Sequence, residues 1–453
     1  MGTLKYRESK DSPWKELPLV GNVNIGANIN NQDKMITENG IYTADEGYTG
    51  LGTVTVEVAG SGGDTSVEDA FITKTLTEYT NDRVSYIGSR AFQSQTELTN
   101  VSFKNCLTVN NNAFQGCSNL TSTAFPNCTT IGSSAFEACS KLVDISFPMC
   151  TTIGSNAFVS CFALSNVSFP ACTTIGSRAF SNCSTLVDIS FPICTKINQY
   201  AFDSCSTITN VNFSLCTYIG SGAFARCKNI YNVDIPNCET VNSRAFQSCY
   251  SLASVNFPAC TQIGSQAFAN CSTLTNVNLP MCTSLPWSVF RECRKLVSVA
   301  LPSCKTIDFT AFYGCSSLTN VNLPVCSSIG SGAFMYCTSL LSVNFPMCTT
   351  IGSQAFGDCK TLTTAIFGFS NMSHDETATY IIYPEAFGSC YSLDNLTLYY
   401  PSVAILSNSN AFSRAGTNGG CSIYVPASLV DAYRQATNWV TYSSRITAIP
   451  ESN

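Results

Sequence analysis

Cysteine is the residue with most chemistry to offer in this sequence of 453 residues, and its spacing is regular. From Cys106 to Cys359 one falls every 11 residues, 24 in all, and Cys390 and Cys421 complete the 26. Thiols in such number could form disulfides, hold a metal array or carry redox chemistry. No Cys-x-x-Cys occurs and His374 is the one histidine, so the tetrahedral zinc template lacks its ligands. The same scarcity removes His-based general acid/base catalysis. The run His374-Asp375-Glu376 sits in an irregular insert and reads as an exposed polar loop rather than a metal or acid/base cluster. Metal and cofactor are therefore both expected to be absent.

The spacing of these cysteines is half of a longer period. A phenylalanine preceded by a small residue recurs every 22 residues at Phe92, Phe114, Phe136, Phe158, Phe180, Phe202, Phe224, Phe246, Phe268, Phe290, Phe312, Phe334 and Phe356, with looser copies at Phe387 and Phe412. A fixed period with apolar residues at set offsets is the signature of a solenoid, in which each coil buries its apolar face only against its neighbours. In the unit 153–172, Leu164, Val167 and Phe169 give the pattern of a short inward-facing strand, and Pro170 ends it. Ser155 is placed to cap a single helical or 3₁₀ turn that points Ala157, Phe158 and Cys161 inward on the opposite side. Four residues before each aromatic stands Gly in most copies and Asn110, Asn198, Asn242 or Asp308 in others, which predicts a left-handed turn residue there. Strands about 4.8 Å apart would stack thirteen coils into a rod or shallow arc of about 60 Å.

This frame places the candidate side chains. The cysteines form two ladders, one on each side of the coil. Thiols separated by about the strand spacing stand farther apart than a relaxed disulfide prefers, so they are expected to be reduced core residues. On the outer strand face, the columns eight and ten after the aromatic carry amides and acids. They include Asn210, Asn212, Asn232, Asp234, Asn276, Asn278, Asn320 and Asn322. Such a face can hydrogen-bond a glycan or a protein edge, and amide ladders also stabilise stacked strands with no ligand. The column three before the aromatic, usually Ser, becomes Trp287 and then Phe309 in adjacent coils. Arg291, Tyr313, Met335 and Tyr336 lie just after the aromatics of these coils, and Pro286 stands where Gly is usual. Exposed Trp, Tyr and Arg together have the composition of a binding hot spot. A glycan hydrolase needs paired carboxylates, but Asp144, Asp188 and Asp234 lie at least two coils apart, about 10 Å.

The pattern Ile-Gly-x-x-Ala-Phe-x-x-Cys-x-x-Leu-x-x-(Val/Ile)-x-(Phe/Ile)-Pro resembles the BspA-type leucine-rich repeat family over residues 87 to 390, departing from it in the 22-residue unit and the second cysteine. The fold expected is thus an α/β repeat. It is a leucine-rich-repeat solenoid of 22-residue coils, with a parallel β face and short helical turns opposite, a small β-rich N-terminal module and a strand-helix C-terminal cap. The expected boundaries are 1–60 for the module, 61–66 for a Gly/Ser linker, 67–90 for an N-terminal cap, 91–370 for the solenoid, and 371–453 for irregular repeats and the C-terminal cap. The N-terminal cap rests on Val67, Phe71, Ile72, Leu76 and Tyr79, with Gln95 replacing the first cysteine. At the other end a strand and then a helix are expected after Cys421, with Pro426 near the helix start and Leu429, Val430 and Tyr433 on one face. In the module, the stretch 35–58 reads as a turn at Asn39-Gly40, a short strand, a Gly-rich loop and an alternating strand. That stretch resembles a small β-module of bacteriophage virion proteins, and residues 4–17 resemble the start of phage head-fibre or tail-fibre proteins.

Charge narrows the function further. Only 52 residues are charged, the sum of 23 basic and 29 acidic, the net charge is −6, and no basic run exists to neutralise phosphates, so nucleic acid is not expected as a partner. No stretch is apolar enough to span a membrane, the N-terminus lacks a secretory h-region, and Tyr6 breaks the myristoylation pattern at Gly2. Together with the reduced thiols this points to folding in a reducing cytoplasm. The reading reached is a non-enzymatic phage virion protein of fibre or receptor-binding type, assembled in the host cytoplasm. Residues 1–60 would hold it to other virion proteins and the repeats would meet a host surface glycan or protein. The alternative is a bacterial cell-surface adhesin, with a glycan hydrolase third. A homo-oligomer is compatible with the resemblance to fibres, although no heptad repeat supports one.

Overall fold

The structure, a computed structural model, describes residues 77–82, 84–368, 378–416 and 420–450, together with the backbone of five short strands before them. Two of those, Lys34–Thr37 and Gly40–Thr43, pair antiparallel, and Gly40, expected in a turn, opens the second strand opposite Thr37, while Asn39 lies outside the described residues. The alternating strand expected near residue 55, the cap residues Phe71, Ile72 and Leu76, and His374-Asp375-Glu376 lie outside the described residues. The chain divides into two compact units, residues 1–208 and 209–453.

Each unit is a parallel solenoid with two ladders per coil. In the first, strands such as Asp144–Ser146, Asn166–Ser168 and Asp188–Ser190 pair in register 22 residues apart. A second ladder of two-residue strands runs through Thr130–Ile131, Thr152–Ile153 and Thr174–Ile175. The second unit repeats the scheme, for example in Asn210–Asn212 with Asn232–Asp234 and in Thr306–Ile307 with Ser328–Ile329. The period-2 alternation decides which side is core. Val167 and Phe169 are buried while Asn166 is exposed, and Pro170, with no N–H to give, ends the strand.

In the first unit the core is two columns of rings, and in the second Ile235, Leu279, Leu301 and Leu323 replace rings of one column. Phe158 lies between Phe136 and Phe180, both 5.2 Å away and within 3° of parallel, while Phe169 stacks on Phe147 at 5.5 Å and meets Phe158 edge-on. Offset stacks along a column and edge contacts across it suit the ring quadrupole.

The side opposite the three-residue strands differs from the expected helical turn. In 154–161 the chain makes turns in which Asn156 and Ser160 both have positive φ, 60° and 59°. Positive φ at two residues before and two after the aromatic recurs through the coils, as at Arg178 and Asn182 or Arg244 and Ser248. This alternation aims N–H groups along the stack instead of into a helix. Asn156, Phe158 and Ser160 donate to Ser177, Ala179 and Ser181 of the next coil at 2.7–2.9 Å, so the turns form a third ladder.

The glycine four before the aromatic therefore serves another purpose. Gly154 is absent from the positive-φ residues, which corrects the left-handed assignment. A Cβ built on Gly154 would stand 2.5 Å from the Gly132 carbonyl carbon of the preceding coil, so in a coil that has glycine here the backbone closes onto the coil before it. Where Asn198 or Asn242 replaces it, the amide donates at 2.9 Å to the carbonyl of Ile175 or Ile219. Pro286 at this position has no N–H, and so omits the bond that Gly264 makes to Val241 and Asp308 makes to Leu285.

The C-terminal end is a strand, Ser422–Val425, then a 3₁₀ turn Ala427–Leu429 entered through Pro426, a helix Val430–Gln435, a second 3₁₀ segment Trp439–Arg445 and a strand Ile446–Ala448 parallel to the first. The expected strand and helix are both present. Of the predicted face, Tyr433 is buried while Leu429 and Val430 are half-buried. The sequence reading missed Trp439, which is fully buried.

Candidate binding surface

The aromatic edge lies wholly in the second unit, on the turn ladder. Gln266 N–H donates to Trp287 O, and Ser288 N–H donates to Phe309 O, each at 3.1 Å, which brings the two side chains of one column into adjacent coils. Their rings are parallel within 3° with centroids 5.6 Å apart. Trp287 is half-buried and Phe309 is 46% exposed. Four residues further along each coil, the Arg291 guanidinium lies 4.3 Å from the Tyr313 ring centroid, and Tyr313 meets Tyr336 edge-on at 5.3 Å. Tyr336 takes the positive-φ position two after its aromatic and is 38% exposed. Thus the five residues singled out by sequence form two groups, a stacked pair and a cation–π triad.

Sequence reasoning passed over one neighbour. Glu292 accepts from Arg294 Nε at 2.9 Å, and its carboxyl lies over Gly314, whose missing side chain leaves room for it. The sign that marked it is the charge cluster Arg291, Glu292, Arg294, Lys295 in a chain otherwise poor in charge.

The polar strand columns are where they were expected. Asn210, Asn212, Asn232 and Asp234 are exposed and paired in register, as are Asn276 and Asn278 with Ser254 and Asn256, and Asn320 and Asn322 with Ser298 and Ala300. Asn278 Nδ2 donates to Asn256 Oδ1 at 2.7 Å, and in the first unit Asn166 Nδ2 donates to Asp144 Oδ1 at 2.6 Å. Amides here bond along the ladder, which stabilises the sheet and uses part of the hydrogen-bonding capacity of the face.

All 26 cysteines are buried thiols. In one ladder the thiol donates to the carbonyl of a repeat phenylalanine in the preceding coil, as Cys183 does to Phe158 and Cys161 to Phe136, at 3.1 and 3.2 Å. In the other it donates to its own chain two residues on, as Cys172 does to Thr174 at 3.3 Å. Burial pushes the Cys183 thiol up to about 12 and Cys172 to about 11, which keeps them protonated and poor nucleophiles. Among the described residues no group of three or more His, Cys, Asp or Glu could hold a metal ion. Asp144 and Asp188 stand on strands with Asn166 between them, so these two do not form a carboxylate pair.

Parallel strands in 22-residue register around a buried Leu, Phe and Cys core define a leucine-rich-repeat protein. The BspA type Leucine rich repeat region matches in six copies over residues 67–186, 151–275 and 261–378, and the chain belongs to that family. A solved leucine-rich repeat protein from Bacteroides ovatus ATCC 8483 is similar at 24% identity, covering 75% of this chain and 86% of its own with a TM-score of 0.53, which shows a common fold. A leucine rich cell surface protein from Faecalibacterium prausnitzii A2-165 is 19% identical over 81% of this chain and 98% of its own, with a TM-score of 0.39. The pneumococcal vaccine antigen PcpA is 15% identical over 88% and 98%, also at 0.39. No curated protein matches. Among the described residues no helix is long and apolar enough to cross a membrane.

Proposed function

We propose that this chain is a non-enzymatic attachment protein of a bacteriophage particle, of fibre or receptor-binding type. In this reading residues 1–60 anchor it to other virion proteins, 61–66 are the linker and 67–90 the N-terminal cap. The solenoid 91–370 and the segment 371–453 then present a host-facing surface. The observation that carries the attachment role is the break in the serine column, where half-buried Trp287 stacks on exposed Phe309 while the core is already filled by Phe290 and Phe312. Large aromatics that the fold does not need, beside Arg291, Tyr313 and Tyr336, have the makeup of a hot spot. The phage assignment is supported by the resemblance of residues 4–17 and 35–58 to virion proteins. It is supported also by 26 buried thiols, each easier to keep reduced in a host cytoplasm than during export.

Family membership favours a second reading, a bacterial cell-surface adhesin using the same edge. Immunogold labelling of particles and cells from the source culture, with antibody against the solenoid, separates the two. Labelled virions are expected, and gold confined to bacterial envelopes would transfer the protein to the adhesin class. Trp287→Ala with Phe309→Ala is expected to reduce adsorption to host cells at least tenfold while leaving the thermal midpoint within about 2 °C, because neither ring is core. Unaltered adsorption would remove this edge from the function.

A further inference from the structure

We propose that the ligand of the Trp287–Phe309 edge is an acidic polysaccharide, a chain of sugar rings carrying carboxylate or phosphate groups; this rests on the attachment role given above. The column that holds these rings has Ser265 in the coil before and Ser331 in the coil after. Thr310 N–H donates to Ser331 O at 2.9 Å, so the serine follows Phe309 in register as Phe309 follows Trp287. Two parallel rings 5.6 Å apart cover one face of each other. Of the two, Phe309 is the more open, 46% exposed with Ser331 next in its column, while Trp287 is half-buried with Ser265 next in the other direction. The result is a two-ring stack in a row of small hydroxyls, exposed chiefly on the Phe309 side.

An open ring face stacks on the apolar C–H face of a pyranose. The surroundings suit a sugar. Ser265, Gln266 and Ser331, which flank the pair on the turn ladder, are polar and not buried, and supply hydroxyl and amide groups of the kind that sugar hydroxyls pair with.

The acid requirement comes from the coil of Trp287. Arg291, Arg294 and Lys295 place three basic residues within five positions on a chain of net charge −6. Glu292 pairs with Arg294 at 2.9 Å, which leaves Arg291 and Lys295 as the basic groups of this coil for a ligand, and Asp308 accepts from Phe309 N–H at 2.7 Å. Arg291 is held over Tyr313, a position fixed before any ligand arrives. Guanidinium and ammonium groups recognise carboxylate and phosphate alike.

The test uses the full chain and three probes: polyglucuronate for carboxylate, purified wall teichoic acid for phosphate, and dextran as a neutral control. Titration is followed by tryptophan fluorescence, since Trp287 is one of three tryptophans and Trp439 is buried. One or both acidic polymers should perturb the emission, with affinity falling as salt rises, and dextran should not. Phe309→Ala should weaken binding at least tenfold. Arg291→Gln with Lys295→Gln should weaken it about tenfold and flatten the salt dependence, with the thermal midpoint of each variant as the folding control. Dextran binding as tightly as the acidic polymers would overturn the acid requirement. If no polymer binds while Trp287→Ala with Phe309→Ala still loses adsorption, the polysaccharide class is wrong and attachment stands. Loss of wild-type adsorption after protease treatment of the host would point that result to a protein receptor. Adsorption unchanged in the double variant would instead overturn the attachment role itself.

Discussion

At the scale of the residue, the thiols show how one side chain is made to serve a stack. A cysteine is small enough to fill the space beside a ring column, and its S–H reaches a carbonyl such as Phe158 O that already accepts the backbone N–H of Cys161. The thiol uses the second lone pair and leaves no charge to bury. Protonation then governs stability at high pH. An unfolded thiol titrates near about 8.5, whereas burial holds Cys106, Cys117 and Cys183 up to about 12. Below pH 8 both states keep the proton and the thiols give no pH dependence. Above it the unfolded state releases the proton first, so stability falls by up to about 1.4 kcal/mol per pH unit for each such thiol, until the folded state titrates too. Circular dichroism against pH should show a cooperative loss of structure beginning near pH 9, and a flat signal to pH 12 would refute the account. Non-reducing mass mapping of freshly purified protein should find free thiols, and paired cysteines would contradict the reducing origin.

At the scale of the element, the coil is specified by what each turn position tolerates. Gly154 lies against the backbone of Gly132, so Gly154→Ala forces two coils apart. Its expected cost is that of overpacking, about 1–3 kcal/mol, or several degrees in thermal midpoint. Gly116 is the contrasting case: its φ is 76° and its nearest neighbour, Ser94 Oγ, is 3.5 Å from a built Cβ. Asparagine occupies the same turn position at Asn182 and Asn270. Gly116→Asn should therefore change the midpoint by little. Equal losses in the two variants would mean that strain, rather than coil spacing, limits the first position.

At the scale of the whole molecule, what matters is how a ladder stops. The last two-residue strand, Ile405–Leu406, presents an edge with unpaired backbone groups, an invitation to further pairing. Side chains close it. Trp439 Nε1 donates to Ala404 O and Asn438 Nδ2 to Leu406 O, both at 2.7 Å, while Tyr433 OH accepts from Ala404 N–H at 3.0 Å. The Trp439 ring also packs beside Phe412, the last of the phenylalanine column. Trp439→Ala removes a fully buried indole and uncovers that edge. It should cost about 3–5 kcal/mol. Light scattering should also show concentration-dependent association, and loss of stability without association would mean that the cap fills the core but does not guard the edge.

Much of this was legible because the repeat states each constraint many times. A strict spacing of 22 leaves Leu164, Val167 and Phe169 one way to face inward, and it places Trp287 and Phe309 in one column. Half the repeat fixes the two thiol ladders in the same manner. The turn was not legible, because glycine answers to two different demands, positive φ and close approach. Only the stacking of Gly154 on Gly132 shows which one applies, while positive φ falls instead on residues as ordinary as Arg178 and Ser160. Arg291 choosing the Tyr313 ring, and Trp439 closing the edge at Ala404, were likewise decided by the tertiary structure. Periodicity tells which residues share a column, but contacts between columns, and at an end where the period stops, depend on distances that no spacing encodes.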